Sequence, residues 1–147
     1  METSEFKFLG YRISRVEFEI HENFYGKSAV RVIPTVDVKQ NLFSENPRLV
    51  EVTLTVRVKN DSDTFSFHLE MKGAFEANKE MPDELFKQMY SINAPAILYP
   101  FARAMVTSFT AQANIPPVIL PTANFTVPNK DALLQAAQEP EHNENSK

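Results

Sequence analysis

"RLVEVTLTVRVKN", residues Arg48 to Asn60, alternates without a break. Val50, Val52, Leu54, Val56 and Val58 fall on one side, and Glu51, Thr53, Thr55, Arg57 and Lys59 on the other. A period of two in β-branched residues predicts a strand with one face in a core and the other in water. "NDSD", Asn60 to Asp63, predicts a turn. "TFSFHLEMKGAF", Thr64 to Phe75, then resumes the alternation with Phe65, Phe67, Leu69 and Met71 on a shared face. So short a polar link makes the two segments an antiparallel hairpin.

Two more strands are expected upstream. "SAVRVIPTVDVKQ", Ser28 to Gln40, places Val30, Val32, Val36 and Val38 on one face. Pro34 has no N–H for a ladder, so this strand belongs at an edge or at a bulge. "FLGYRISRVEFEI", Phe8 to Ile20, reads as a strand with Arg12, Ser14, Val16, Phe18 and Ile20 sharing one side. Four strands with one polar face make a sheet that needs a cover.

The second half supplies the cover. "MPDELFKQMYSIN" opens a helix at Pro82 with two acids behind it, and Leu85, Phe86 and Met89 form its stripe. A second helix is expected from about Pro95 to Gln112, with Pro100 inside it removing a hydrogen bond. Ile97, Phe101, Met105 and Ser108 lie on one helical stripe, yet Leu98, Val106 and Phe109 are apolar elsewhere. Apolar residues on more than one side predict burial by the sheet and by something else. "IPPVILPTANF", Ile115 to Phe125, is apolar and stiffened by Pro116, Pro117 and Pro121, which set an extended backbone. The prolines are expected to keep this loop from collapsing onto its own helix. Asn129 to Gln138 predicts a short last helix anchored by Leu133 and Leu134. The expected organisation is a single domain over 1–138, followed by a polar, disordered tail over 139–147.

Composition narrows the function. The chain has 147 residues, a net charge of −4, no cysteine and only three glycines. No disulfide or thiolate metal site is available to it. Scattered cations argue against nucleic acid as a partner. No apolar run is long enough for direct membrane insertion, and the N-terminus lacks a signal-peptide pattern, so a cytoplasmic location is expected. Gly10, Gly26 and Gly73 are too far apart for a phosphate-binding loop. His21, His68 and His142 have no partner at metal-ligand spacing. These patterns predict no catalytic residue, no bound cofactor and no metal; the chain reads as a binding protein rather than an enzyme.

"NAPAILYPFARAMVTSFTAQANIPPVILPTANF", Asn93 to Phe125, resembles the signature region of the SecB protein-export chaperones. The likeness lies in the asparagine and proline before the helix, Leu98, Pro100, Phe101 with Ala102-Arg103, the proline-rich crossover and Asn124-Phe125. "MKGAF", Met71 to Phe75, is similar to that family's fourth strand. The resemblance implies an α+β fold in which a four-stranded antiparallel sheet is packed by a long C-terminal-half helix, assembling as a dimer of dimers, a homotetramer. It further implies an ATP-independent holdase that binds unfolded precursor proteins in hydrophobic grooves and keeps them translocation-competent. Tyr99, Phe101, Met105, Val118, Ile119, Leu120 and Phe125 are the groove candidates. In any one of them core packing is the simpler role, so the argument rests on the set.

Export members of that family dock the motor SecA through acidic residues on the exposed sheet surface. Glu17, Glu19, Glu51 and Glu70 are the candidates here, but Arg15 and His68 stand where acids are expected. A SecB-like chaperone of an antitoxin or other dedicated client, without SecA docking, is therefore an alternative. A non-chaperone oligomeric scaffold and a small-molecule binder are two more.

Overall fold

The computed structural model describes residues 5–21, 31–60, 64–127 and 132–133. Four strands, β1 (Phe6–Ile20), β2 (Val32–Leu42), β3 (Leu49–Asn60) and β4 (Phe65–Ala77), form one antiparallel sheet in the order β1-β4-β3-β2. β2, β3 and β4 follow one another as hairpins, while β1 lies beside β4, a Greek-key order.

The central pair is built as its alternation predicts. Val50, Val52, Leu54, Val56 and Val58 of β3 are buried together with Phe65, Phe67, Leu69, Met71, Phe75 and Ala77 of β4. Val56 stands opposite Leu69, and Leu54 opposite Met71. Of the edge or bulge that Pro34 allows, β2 takes the edge, and Pro34 pairs opposite Val58 without a register shift. Val30 lies outside the described residues.

β1 departs from strict alternation. Its register against β4 shifts between Phe8 and Gly10 and again between Ile13 and Arg15. The extra residue at Ser14 resets the parity of the strand. Ile13, Val16 and Phe18 stand opposite Met71, Leu69 and Phe67 on the core face, whereas Arg12 and Arg15 stand opposite Lys72 and Glu70 on the outer face. Arg12 and Ser14 therefore do not share a side with Val16, contrary to the two-residue count.

Two separate helices were expected, and the chain instead remains helical from Asp83 to Gln112. α1 (Asp83–Gln88) passes through a π-helical turn, Met89–Asn93, into α2 (Ala94–Gln112). Pro95 has no N–H to offer the carbonyl one turn back, so a break would be reasonable there. The wider turn absorbs the misfit: Ala94 N–H reaches Met89 O, five residues back. Of the α1 stripe, Phe86 is buried but Leu85 is exposed.

α2 crosses β3 and β4 on the core face. Ala94, Leu98, Ala102, Val106 and Thr110, four residues apart, are each fully buried. Three of the five are Ala or Thr, which lets the helix come close. Gly73 makes the closest approach, because a methyl there would lie 2.6 Å from Leu98 Cδ2. The helix stops at Asn114, whose φ of 65° is left-handed. Asn114 N–H bonds Ala111 O at 3.1 Å and Ile115 N–H bonds Thr110 O at 3.3 Å. This paired capping satisfies the last carbonyls and turns the chain back along the helix.

The crossover loop then lies on α2, and the expectation that its prolines would hold it off is overturned. Prolines remove donors from the loop, not acceptors, and the helix provides donors at one-turn intervals. Tyr99 Oη donates to Pro121 O, Arg103 Nη2 to Leu120 O at 2.9 Å, and Thr107 Oγ1 to Val118 O at 2.7 Å. Val118 N–H donates to Thr110 Oγ1 at 2.9 Å. The loop thus runs antiparallel to the helix, with Ile115, Val118 and Leu120 tucked into the core. Ala132 and Leu133 are buried in a turn, and Ala132 O accepts from Asn124 N–H at 3.0 Å. The rest of the expected last helix, Leu134 included, and the 139–147 tail lie outside the described residues.

Candidate polypeptide-binding surface

Along edge strand β1 the core is left open. The bulge at Leu9 and Gly10 places Phe8 and Tyr11 on the same side of the strand, where plain alternation would separate them. Gly10 has φ of 120°, a conformation that a side chain would strain. Phe8 is 36% exposed, Tyr11 42%, and Phe101 of α2, which meets both, 40%. The Tyr11 and Phe101 rings are 4.8 Å apart, Phe8 and Phe101 6.1 Å, and Phe8 joins the buried Phe75 at 5.1 Å.

The opening continues toward the other end of the helix. Met105 and Phe109 follow Phe101 at four-residue steps and are half-buried, as are Ile13, Val16 and Phe18 on β1. Phe109 packs edge-on against Phe18 at 5.2 Å and Phe67 at 5.1 Å. The result is an apolar seam between β1 and α2, running from Phe8 to Phe18 on the strand and from Phe101 to Phe109 on the helix.

The seam adjoins an uncharged helix surface. Ala96, Ile97, Pro100, Phe101, Ala104, Ser108 and Ala111 are exposed on α2, and Arg103, the helix's lone charge, is turned to the loop. A solvent-facing helix side without one charged residue is the kind of surface that protein contacts cover.

The seven groove candidates divide. Phe101 and Ile119 are exposed, the latter at 72%, while Met105 and Phe125 are half-buried. Tyr99, Val118 and Leu120 are buried in the chain's own core, because the loop docks on the helix. Phe125 packs edge-on against Tyr99 at 5.7 Å. Burial pushes the Tyr99 phenol up to about 12, despite the nearby Arg103 guanidinium. Phe8, Leu9 and Tyr11 were not among the candidates. Their signal was a glycine inside an apolar run whose spacing breaks the period of two.

The outer face of the sheet is electrically mixed. Glu17, Glu19, Glu51 and Glu70 all lie on it, set among cations. Arg15 pairs with Glu17, and Arg12 with Glu51 at 3.8 Å. Glu70 accepts from Ser14 Oγ at 2.7 Å, which holds its carboxyl below the usual range. His68, opposite Glu17 and Arg57, has its pKa lowered by partial burial and then by Arg57 and Arg15.

At one end of the sheet a cleft of about 590 Å³ is lined by Glu5, Lys7, Arg48 and Glu76 among others. Arg48 bonds Asp83 at 3.0 Å there. The cleft's charged residues, Glu5, Glu76 and Glu80 against Lys7, Arg48 and Lys79, do not suit a lipid-like ligand.

Sheet, long helix, docked loop and open seam define a class: an α+β protein with a four-stranded antiparallel sheet, one long helical cover and an uncovered apolar strip along one edge. The family described as SecB, preprotein translocase subunit SecB, matches residues 16–142. The chain belongs to the SecB family. It is 33% identical over 117 residues to protein-export protein SecB of Acidithiobacillus ferrooxidans, covering 75% of this chain and 74% of that protein. It is 34% identical over 122 residues to an uncharacterized protein of Methanocaldococcus jannaschii, covering 80% and 78%. Its fold is similar to that of a Mycobacterium tuberculosis SecB-like chaperone solved in complex with an antitoxin peptide. That likeness has a TM-score of 0.66 at 14% identity, over 78% of this chain and 85% of that one. Family membership supports a chaperone role rather than an enzymatic one.

Proposed function

We propose that this chain is an ATP-independent holdase, working in the cytoplasm as a homotetramer, that binds unfolded preproteins and keeps them translocation-competent. The observation that carries this reading is the apolar seam between β1 and α2. Each apolar client side chain fully buried there would contribute roughly 1.5–3 kcal/mol. A few such anchors are offset by an association cost of about 4–15 kcal/mol, so one seam alone binds weakly. Several seams in one assembly raise the effective affinity without new contacts. The uncharged face of α2 supports assembly as a dimer of dimers, and Phe101, Ile119, Met105 and Phe125 are the groove residues within reach of a client.

A second reading, a chaperone of an antitoxin or other dedicated client without SecA docking, is favoured by one observation. The outer sheet face alternates in charge, which poorly suits the basic tail that a uniformly acidic face would hold. The fold's likeness to a chaperone seen with an antitoxin peptide agrees with it.

The first reading requires arrest of a precursor's folding, and that is what the test measures. Purified protein is added, without ATP, to a slowly folding signal-bearing precursor diluted from denaturant, with light scattering reporting assembly mass. Arrest by a tetramer near stoichiometric amounts is the expected result. Unchanged folding and aggregation of the precursor would leave a dedicated-client chaperone or an oligomeric scaffold as the better description. SecA binding then separates export from dedicated-client service.

A further inference from the structure

On β2, β3 and β4 the outer face of the sheet, remote from the seam, carries charge in bands. β1 does not continue them: Arg15 stands opposite Glu70, Glu17 opposite His68 and Glu19 opposite Ser66. Cross-strand register places Lys39, Thr53 and Lys72 side by side on β2, β3 and β4. Two residues further along β3, Thr55 is flanked by Asp37 and Glu70. Two more bring Arg57, and another two Lys59. Among the described residues Lys39, Lys72, Arg57 and Lys59 form no ion pair, in contrast to Arg12 and Arg15. Over β3 the sequence of charge is therefore positive, negative, positive, positive, in steps of about 7 Å. Thr53, Thr55, Thr35 and Ser66 add hydroxyls within the bands.

That step equals the spacing of side chains on one face of an extended polypeptide, where residues i, i+2 and i+4 point the same way. We propose that this lane docks an extended polypeptide segment laid along β3, with acidic, basic, acidic and acidic residues at alternate positions. The first acid meets Lys39 and Lys72, the base meets Glu70, and the last two meet Arg57 and Lys59. The bond from Ser14 keeps Glu70 charged and fixed for that purpose. A nucleic acid, with a negative charge at every step, would set one phosphate against Glu70 and Asp37. The overall charge of −4 also opposes it. The proposal does not depend on the holdase reading, since it uses the opposite face of the sheet.

The test is fluorescence anisotropy of a labelled nonamer with Glu at positions 2, 6 and 8 and Lys at position 4, against the full-length protein. Three controls are the same composition with charges shuffled, the charge-inverted peptide, and a thymidylate 20-mer. The expected result is saturable binding to the patterned peptide, at least about fivefold tighter than to the shuffled one. Raising the salt from low to 0.2 M should weaken it about tenfold, as screened surface pairs require. Lys72→Glu with Arg57→Glu should abolish it, and the milder Lys72→Gln with Arg57→Gln should weaken it, with folding arrest of the precursor unchanged in both. Equal binding of patterned and shuffled peptides, preference for the charge-inverted peptide, tighter binding of the oligonucleotide, or indifference to both variant pairs would each overturn the proposal.

Discussion

Gly73→Ala tests the packing on which the fold depends. Gly73 sits on the core face of β4, where α2 comes closest, and its φ is not in the left-handed region. The backbone therefore accepts alanine, and any cost is purely one of contact. The new methyl would lie 2.6 Å from Leu98 Cδ2, 3.1 Å from Cδ1 and 3.2 Å from Cγ. Carbon atoms prefer about 3.5–4.0 Å, so the overlap is close to 1 Å. Leu98 is fully buried, so the methyl must be accommodated by a shift within the core. Overpacking of this kind costs about 1–3 kcal/mol. Replacing glycine in a strand returns about 0.5–1 kcal/mol of chain entropy. The net expectation is destabilisation by up to about 2.5 kcal/mol. Leu98→Ala alone should cost about 2–5 kcal/mol through its cavity. In that background the clash is gone, so Gly73→Ala should become stabilising by about 0.5–1 kcal/mol. Urea unfolding followed by circular dichroism, at one fixed protomer concentration, measures all four corners of the cycle. If Gly73→Ala costs the same in both backgrounds, within about 0.5 kcal/mol, the close approach is not what glycine provides there.

Three other outcomes follow from the seam and the docked loop. Tyr11→Ser with Phe101→Ser should raise the chaperone concentration needed for half-maximal arrest about tenfold or more. Its urea midpoint should fall only modestly, because both rings are already part-exposed; an unchanged arrest curve would remove the seam from the site. Thr110→Val leaves the buried Val118 N–H without an acceptor and should cost about 1–3 kcal/mol in urea unfolding, whereas a neutral result would mean that the loop shifts freely. The Tyr99 phenol ionises at about 12 when folded and near 10 when unfolded, so its contribution is complete below pH 10 and is lost as pH rises from 10 toward 12. Ultraviolet titration of phenolate should show one late tyrosine that Tyr99→Phe removes; loss of an early one instead would contradict its burial.

The hairpin of β3 and β4 was legible in the sequence because both strands lie inside the sheet and nothing interrupts their alternation. Pro34 confined β2 to an edge or a bulge, and the strand lies at an edge without one. β1 was recognised as a strand, but its facing was misread. A bulge leaves no mark in a two-residue count except that apolar residues such as Phe8, Leu9 and Tyr11 cease to alternate. That same irregularity concealed the aromatic end of the seam. The π turn was hidden for a related reason, since Pro95 permits either a fresh helix start or a widened turn, and only the packing of Ala94 against the sheet selects between them. The docking of the crossover loop was missed because prolines were read for their stiffness, while the carbonyls they leave unpaired were not matched to Tyr99, Arg103 and Thr107 on the helix. Where three of the seven groove candidates ended up, inside the core, follows directly from those bonds.

The Greek-key order has a consequence at the ribosome. β1 is the first strand to be made, but its partner β4 ends at Ala77, so the strand between Phe6 and Ile20 emerges with nothing to pair against. At about 5–20 residues per second, synthesis from Ile20 to Ala77 takes roughly 3–11 s. Throughout that interval the nascent chain displays Phe8, Leu9, Tyr11, Val16 and Phe18 as an unpaired apolar strand. The chain is therefore most open to mispairing before its fourth strand has been made.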